Sequence, residues 1–359
     1  MPITITSVEA TPVALPLTKP IASALGLYET MPGAVVSVKT SEGEGFGFNL
    51  GLGGAAGRSV AVYINDELAP LAVGQDALAP EAVWQRMWAP NKARMRGGIG
   101  VWALSAVDIA IWDIVAKTAG LPLHTILGGF RRHVPVYGSG GWLSLSDTEL
   151  VAEAQAMAAL GITSYKFKIG SPRDEERTAL LRRVMGEDFL LLADGNQGFN
   201  VRRAIETARM LASYGVGWFE EPVVADSIDD LADVAADSQV PIATGENEFF
   251  RWGFREICER RAAAYLQPDI ARCGGVTEFR RIAALADSFG LSLTSHLWHE
   301  LSISVVGASP SGWAVEYTNL IDPAMWTNPF PVVDGAIEVP QVPGHGAYLV
   351  PEAIERFRL

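Results

Sequence analysis

Hydrophobic and polar positions follow two regimes along the 359-residue chain, and the change comes near residue 130. In the first regime a period of two marks strands. Val35 and Ser37 before a turn at Ser41-Glu42-Gly43, and Phe46 and Phe48 after it, predict a β-hairpin. Farther on, Leu104, Val107, Ile111, Ile114 and Val115 recur at helical spacing, and Gly120 with Pro122 ends that run. Residues 1–128 therefore read as a small α+β domain.

From about residue 134 the pattern becomes regular. Strand-like runs (SYKFKIG, FLLLADGNQ, VGWFEEPV, VPIATGEN, AYLQPDI, LSLTSHLW and WAVEYTN) alternate with amphipathic helices such as VRRAIETARMLASYG and VTEFRRIAALADSFG. Strands separated by single helices make parallel βαβ units. Seven or eight in succession predict an α/β fold, a modified (β/α)7-8 TIM barrel over residues 129–317. The segment 318–359 is rich in Pro and Gly and no longer periodic, so it is expected to leave the barrel and return to the first domain. No charged, Pro-rich or Ser-rich linker divides the two parts, which predicts close packing.

Composition narrows the function classes. A net charge of −13 disfavours nucleic acid and anionic membrane, because both repel a polyanion. No apolar run reads as a bilayer span, and the opening MPITITSVEA lacks a basic and apolar leader. The two cysteines, Cys258 and Cys273, form neither a disulfide framework nor a zinc motif. Together these point to a cytoplasmic enzyme acting on a small molecule.

The chemistry sits at the C-terminal end of each strand-like run: Lys168, Asp194, Glu220, Glu246, Asp269, His296 and Glu316. Successive members are 26, 26, 26, 23, 27 and 20 residues apart, each about one βα unit, so a barrel converges them on one rim at similar height. Asp194, Glu220 and Glu246 are three carboxylates from adjacent strands, and such a group stays ionised only around a cation. All-oxygen ligation predicts a hard divalent ion, Mg²⁺ or Mn²⁺. Lys166 and Lys168 share one face of their strand and flank this triad on one side, with Asp269 and His296 on the other. Asp269 is placed to orient His296. The cation and the second lysine are expected to lower the pKa of Lys168 toward that of a base. A carboxylate substrate would lose its α-proton between the two bases, with Lys166 and a protonated Glu316 on the resulting dianionic aci-carboxylate.

At these residues the chain resembles the mandelate-racemase group of the enolase superfamily. The matching motifs are KFK at 166–168, ADGN at 193–196, FEEP at 219–222, GEN at 245–247, QPD at 267–269 with GG at 274–275, SHL at 295–297 and the Glu316 of VEY. SAVDIAIWD at 105–113 and GLPLHTILGG at 120–129 match the segment entering the barrel. The resemblance implies a capping domain built from the N-terminal domain plus the C-terminal tail, and a symmetric homo-oligomer. It implies metal ligands Asp194, Glu220 and Glu246, with Lys168 and the His296–Asp269 pair as bases on opposite faces. It implies Lys166 and Glu316 on the substrate carboxylate, and substrate contacts at Ser139 and Asn196.

Two reactions use this set. A proton leaving one face and returning on the other gives racemisation or epimerisation. Expulsion of a β-hydroxyl with His296 as general acid gives dehydration of a sugar acid to a 2-keto-3-deoxy acid. The loop expected near residues 20–30 is apolar, and in the family's pattern Ile21 and Leu25 fall over the substrate. These two favour a less polar 2-hydroxy acid and racemisation; Tyr28 and Trp298 are further expected substrate contacts. A non-catalytic binding protein on the same barrel is a remote alternative, because no ligand or base is missing. Gly51-Leu52-Gly53-Gly54-Ala55-Ala56 contains a fragment of a dinucleotide fingerprint, but without a second βαβ half it reads as a substrate-covering loop.

Overall fold

The computed structural model describes residues 2–52 and 56–359, so residues 53–55 of the Gly-rich stretch 51–56, read as a substrate-covering loop, lie outside the described residues. Strands β1 (Ile5–Ser23), β2 (Gly26–Thr40) and β3 (Glu44–Leu50) form an antiparallel sheet in sequence order. Val35 pairs with Phe48 and Ser37 with Phe46, the register that the alternation predicts. The helix Ile99–Thr118 lies against this sheet at very short range. A side chain at Gly45 or Gly47 would meet the Ala110 or Ala106 carbonyl at 2.2 Å, which is why the strand reads EGFGF. By length and hydropathy this helix could cross a membrane, contrary to the sequence reading, but 83% of its apolar window is buried inside the protein. It is a core helix, apolar nearly all round because it is covered nearly all round.

The stretch 20–30, read from sequence as a loop, is the tip of the β1–β2 hairpin, where Ile21 pairs with Tyr28 and Ser23 with Gly26. Proline at 16 and 20 had hidden the strand, and the register shifts between Pro16 and Ile21.

The barrel strands are β4 (His133–Ser139), β5 (Ser164–Lys168), β6 (Leu190–Asp194), β7 (Trp218–Glu220), β8 (Ile242–Thr244), β9 (Tyr265–Leu266), β10 (Ser292–Leu293) and β11 (Val315–Tyr317). They run parallel in that order; β11 pairs with β4, and a bridge between Leu293 and Gly312 closes the ring. Of these, β4 was not among the strand-like runs, since HVPVYGS carries a Pro and a Gly. Strands β12 (Val332–Val333) and β13 (Ala336–Glu338) form a hairpin that pairs with β4 rather than with the first domain. The tail reaches the N-terminal sheet only afterwards, where Phe46 O accepts from His345 Nε2 at 2.7 Å and Ala14 N donates to Phe357 O at 2.9 Å.

Helix Ile99–Thr118 also grips the barrel. Ser105 Oγ accepts from Gly274 N at 2.9 Å, and the Asp108 carboxylate accepts from Thr277 N at 2.9 Å and Thr277 Oγ1 at 2.7 Å. Trp84 Nε1 and Trp112 Nε1 donate to Gly274 O and Thr277 Oγ1. Gly274 and Gly275 have φ of +114° and +81°, and a Cβ on Gly275 would lie 2.4 Å from Asp108 Oδ2. Two glycines are therefore what this junction admits.

Candidate active site

At the C-terminal mouth of the barrel, Lys168 pairs in register with Asp194, and Asp194 with Glu220. Parallel pairing of equally placed residues puts their side chains side by side. Glu246, Asp269 and His296 sit two or three residues beyond the ends of β8, β9 and β10, so the rim is less level than the even spacing predicts. The chain leaves β8 and β9 through Gly245 (φ +139°) and Pro268, turns that end the ladder early, and bends at Leu297 (φ +46°) just past His296. Asn196 and Glu221, just past β6 and β7, also have positive φ, of 41° and 39°. Uncommon backbone at a strand end of this kind concentrates at functional sites.

The charged groups form one buried network. Lys166 Nζ is 2.6 Å from Glu220 Oε1, 2.8 Å from Glu316 Oε1 and 3.4 Å from Asp194 Oδ2. Lys168 Nζ donates to Asp194 Oδ2 and lies 5.0 Å from the Trp142 ring. His296 Nδ1 is 2.8 Å from Asp269 Oδ2, and its Nε2 is 3.2 Å from Glu246 Oε2. Outside these residues, Gln267 Nε2 donates to Glu220 Oε2 at 2.8 Å, and Asn247 Nδ2 donates to both oxygens of Glu221.

The protein's own charges bear on the sequence reading at two positions. Burial works against the Lys168 ammonium, but Asp194 overcomes it, so among the protein's own groups the pKa is raised; the lowering expected from the sequence belongs to the cation-bound site. The protein's own carboxylates hold that proton. Burial also opposes ionisation of Glu316, yet Lys166, His296 and the Leu297 N–H outweigh it and bring its pKa down to about 2. The protein's own groups thus favour the Glu316 carboxylate over the protonated acid expected from the sequence. Glu220 is pushed well above the carboxylate range by burial and by Asp194.

One carboxylate oxygen from each of Asp194, Glu220 and Glu246 lies within 4.8 Å of the others, and all three residues are buried. Three converging anionic oxygens, with no sulfur or imidazole among them, fit a hard divalent cation.

A cavity of about 230 Å³ opens above this network. Lys168, Glu246, His296, Glu316, Ser139, Asn196, Leu25 and Tyr28 border it, and Asn196 Oδ1 is buried without a hydrogen-bond partner among the described residues. Ile21 and Trp298 do not border it. Ile21 is sealed in the core, and Trp298 packs edge-on against Phe48 with Nε1 donating to Leu50 O at 3.0 Å. Sequence reasoning missed Asn247, Arg272 and Thr318 on the cavity wall. The first two were within reach, since each stands one or three residues after a motif carboxylate.

Residues 5–128 match the family model for the mandelate racemase / muconate lactonizing enzyme N-terminal domain, and residues 149–353 match the enolase C-terminal domain-like model. The chain is 34% identical over 327 residues to the 3,6-anhydro-alpha-L-galactonate cycloisomerase of Streptomyces coelicolor, covering 89% of this chain and 90% of that protein. Among solved structures it resembles a racemase from Streptomyces coelicolor A3(2) with bound magnesium, at a TM-score of 0.95 and 32% identity over 99% of this chain and 100% of that one. It also resembles the L-talarate dehydratase of Polaromonas sp. JS666 complexed with Mg and L-glucarate, at a TM-score of 0.92 and 30% identity over 99% and 97% of the two chains. Fold, buried carboxylate triad and sequence likeness agree: the chain belongs to the mandelate racemase / muconate lactonizing enzyme group of the enolase superfamily.

Proposed function

We propose that the protein removes the α-proton of a sugar acid and expels an oxygen substituent from the neighbouring carbon, as a dehydratase or as an enzyme that opens a cyclic sugar acid. The observation that carries this reading is the cavity wall. Ser139, Asn196, Asn247 and Thr318 offer hydrogen-bond partners there, while Ile21, one of the two aliphatic residues that favoured an apolar substrate, is packed away and Leu25 stays at the rim with Tyr28. A polyhydroxylated chain satisfies such a wall; an aromatic ring would leave it unpaired. The sugar acids in the names of the similar cycloisomerase and dehydratase support the same class.

A magnesium ion on Asp194, Glu220 and Glu246 would supply Lewis-acid stabilisation of the substrate carboxylate and take up the Asp194 charge that now holds the Lys168 proton. The chain's own groups do the rest. Lys166, fixed by Glu220 and Glu316, presents its ammonium where negative charge develops. Lys168 or His296 takes the α-proton, depending on the substrate's configuration. His296, turned by Asp269, then gives a proton to the departing oxygen. The Cα–H and Cβ–O bonds break, a carbon–carbon double bond forms, and the enol becomes a 2-keto-3-deoxy acid. Racemisation or epimerisation is the second reading, favoured by bases on two sides of one site.

The test is proton NMR of a panel of sugar acids, their lactones and 2-hydroxy acids in D₂O with enzyme and Mg²⁺. The expected result is new 2-keto-3-deoxy signals, absent with Lys168→Ala or His296→Asn. Loss of the α-proton signal with an intact skeleton would move the assignment to racemisation. No change with any sugar acid, alongside exchange of an aromatic 2-hydroxy acid, would overturn the substrate class.

A further inference from the structure

We propose that Arg272 is a positioning residue for the His296 side of the site, acting through Asp269; this rests on the two-base reading above. Arg272 stands three residues after Asp269 in the turn that follows β9. Its side chain is only 15% exposed, and its Nε lies 3.3 Å from Asp269 Oδ2. That is the oxygen facing His296 Nδ1 at 2.8 Å. The other oxygen, Oδ1, accepts from Ala271 N at 2.8 Å. The Asp269 carboxylate is thus held at both ends, and Arg272 fixes the oxygen that orients the imidazole.

Arg272 is itself anchored from two further elements. Its Nη1 donates to Glu246 O at 3.4 Å, and its guanidinium lies 5.9 Å from the ring of Trp102 on the helix Ile99–Thr118. A guanidinium is charged at any working pH and rigid in plane, so it defines a carboxylate's direction better than a flexible ammonium does. Among the described residues the Lys168 ammonium is held by Asp194 and stands by the Trp142 ring, with no contact to Arg272. The two bases are therefore supported by separate side chains, and losing Arg272 should disturb only one of them.

The experiment measures α-proton exchange in D₂O, with Mg²⁺, from the two α-epimers of an acid that the wild-type enzyme turns over. The His296-side epimer is the one silenced by His296→Asn, and the Lys168-side epimer the one silenced by Lys168→Ala. Arg272→Met should slow exchange of the His296-side epimer at least tenfold in kcat, with KM within twofold, and leave the other epimer within twofold. In the His296→Asn background it should add nothing. Arg272→Lys, which keeps the charge and most of the bulk, should show the same asymmetry to a smaller degree and serves if the methionine variant does not fold. Equal slowing of both epimers, a change in KM alone, or unchanged exchange of both would overturn the proposal. Exchange of only one epimer by wild-type enzyme, or silencing of both epimers by either single variant, would overturn the two-base reading and this inference with it.

Discussion

Ile21 and Leu25 stand four positions apart at one hairpin tip, yet Ile21 is 1% exposed and Leu25 60% exposed. Ile21→Ala is expected to lower stability by about 2–5 kcal/mol, as buried aliphatic truncations do, while leaving KM within twofold. Leu25→Ala should change stability by less than about 0.5 kcal/mol and shift KM, because Leu25 borders the cavity. Denaturation curves and steady-state kinetics on the two variants separate the roles. The metal triad gives a second expectation at this scale. Magnesium at a hundred times its Kd should raise unfolding free energy by about 2.7 kcal/mol, read as a thermal shift, and EDTA should reverse it. Asp194→Asn should abolish that shift, because it removes a charged ligand and the partner of both lysines. The residue types of this triad were legible in the sequence because parallel pairing converts equal spacing into adjacency. The charge states were not. Whether Glu316 holds a proton depends on Lys166, His296 and the Leu297 N–H, brought from two other strands, and no spacing encodes that sum.

Among elements, the helix Ile99–Thr118 does the most joining. Its motif SAVDIAIWD was legible as a family signature, but its physical purpose was not, because Gly274 and Thr277 meet it from about 170 residues away. Asp108→Ala would leave the buried Thr277 N–H and hydroxyl without their acceptor, at a cost of about 1–3 kcal/mol. Urea unfolding checks this, and Asp108→Asn, which keeps an acceptor oxygen, should recover part of the loss. The same turn carries Arg272, so the alanine variant should also slow turnover more than it weakens substrate binding. Barrel strands with continuous apolar runs were readable, as buried parallel strands should be. Strand β4 and the β1–β2 tip were not, since Pro and Gly signal turns unless long-range pairing overrides them.

For the whole molecule, the C-terminal tail acts as a fastener between barrel and N-terminal sheet. His345 Nε2 faces Phe46 O at 2.7 Å, while Nδ1 accepts from Ala347 N at 2.9 Å, an arrangement that only the neutral ring satisfies. Burial accordingly lowers the His345 pKa from its ordinary 6.5. A group depressed on folding stabilises the protein above its unfolded pKa and ceases to do so as pH falls through that range. Thermal stability should therefore decline as pH drops from about 7 toward 5, and His345→Gln should flatten that slope, as scanning calorimetry at several pH values would show. Network and cavity also divide the molecule's capacity to change. Lys166, Lys168, Asp194, Glu220 and Glu316 hold one another, so altering one strands the charge of its neighbours. Ser23, Leu25 and Tyr28 reach the same cavity from a hairpin tip that belongs to another domain and carries none of those bonds. Descent with modification thus has a free hand at the tip and almost none at the floor: new substrates can be tried by exchanging a few residues of a hairpin while the proton chemistry is inherited unchanged.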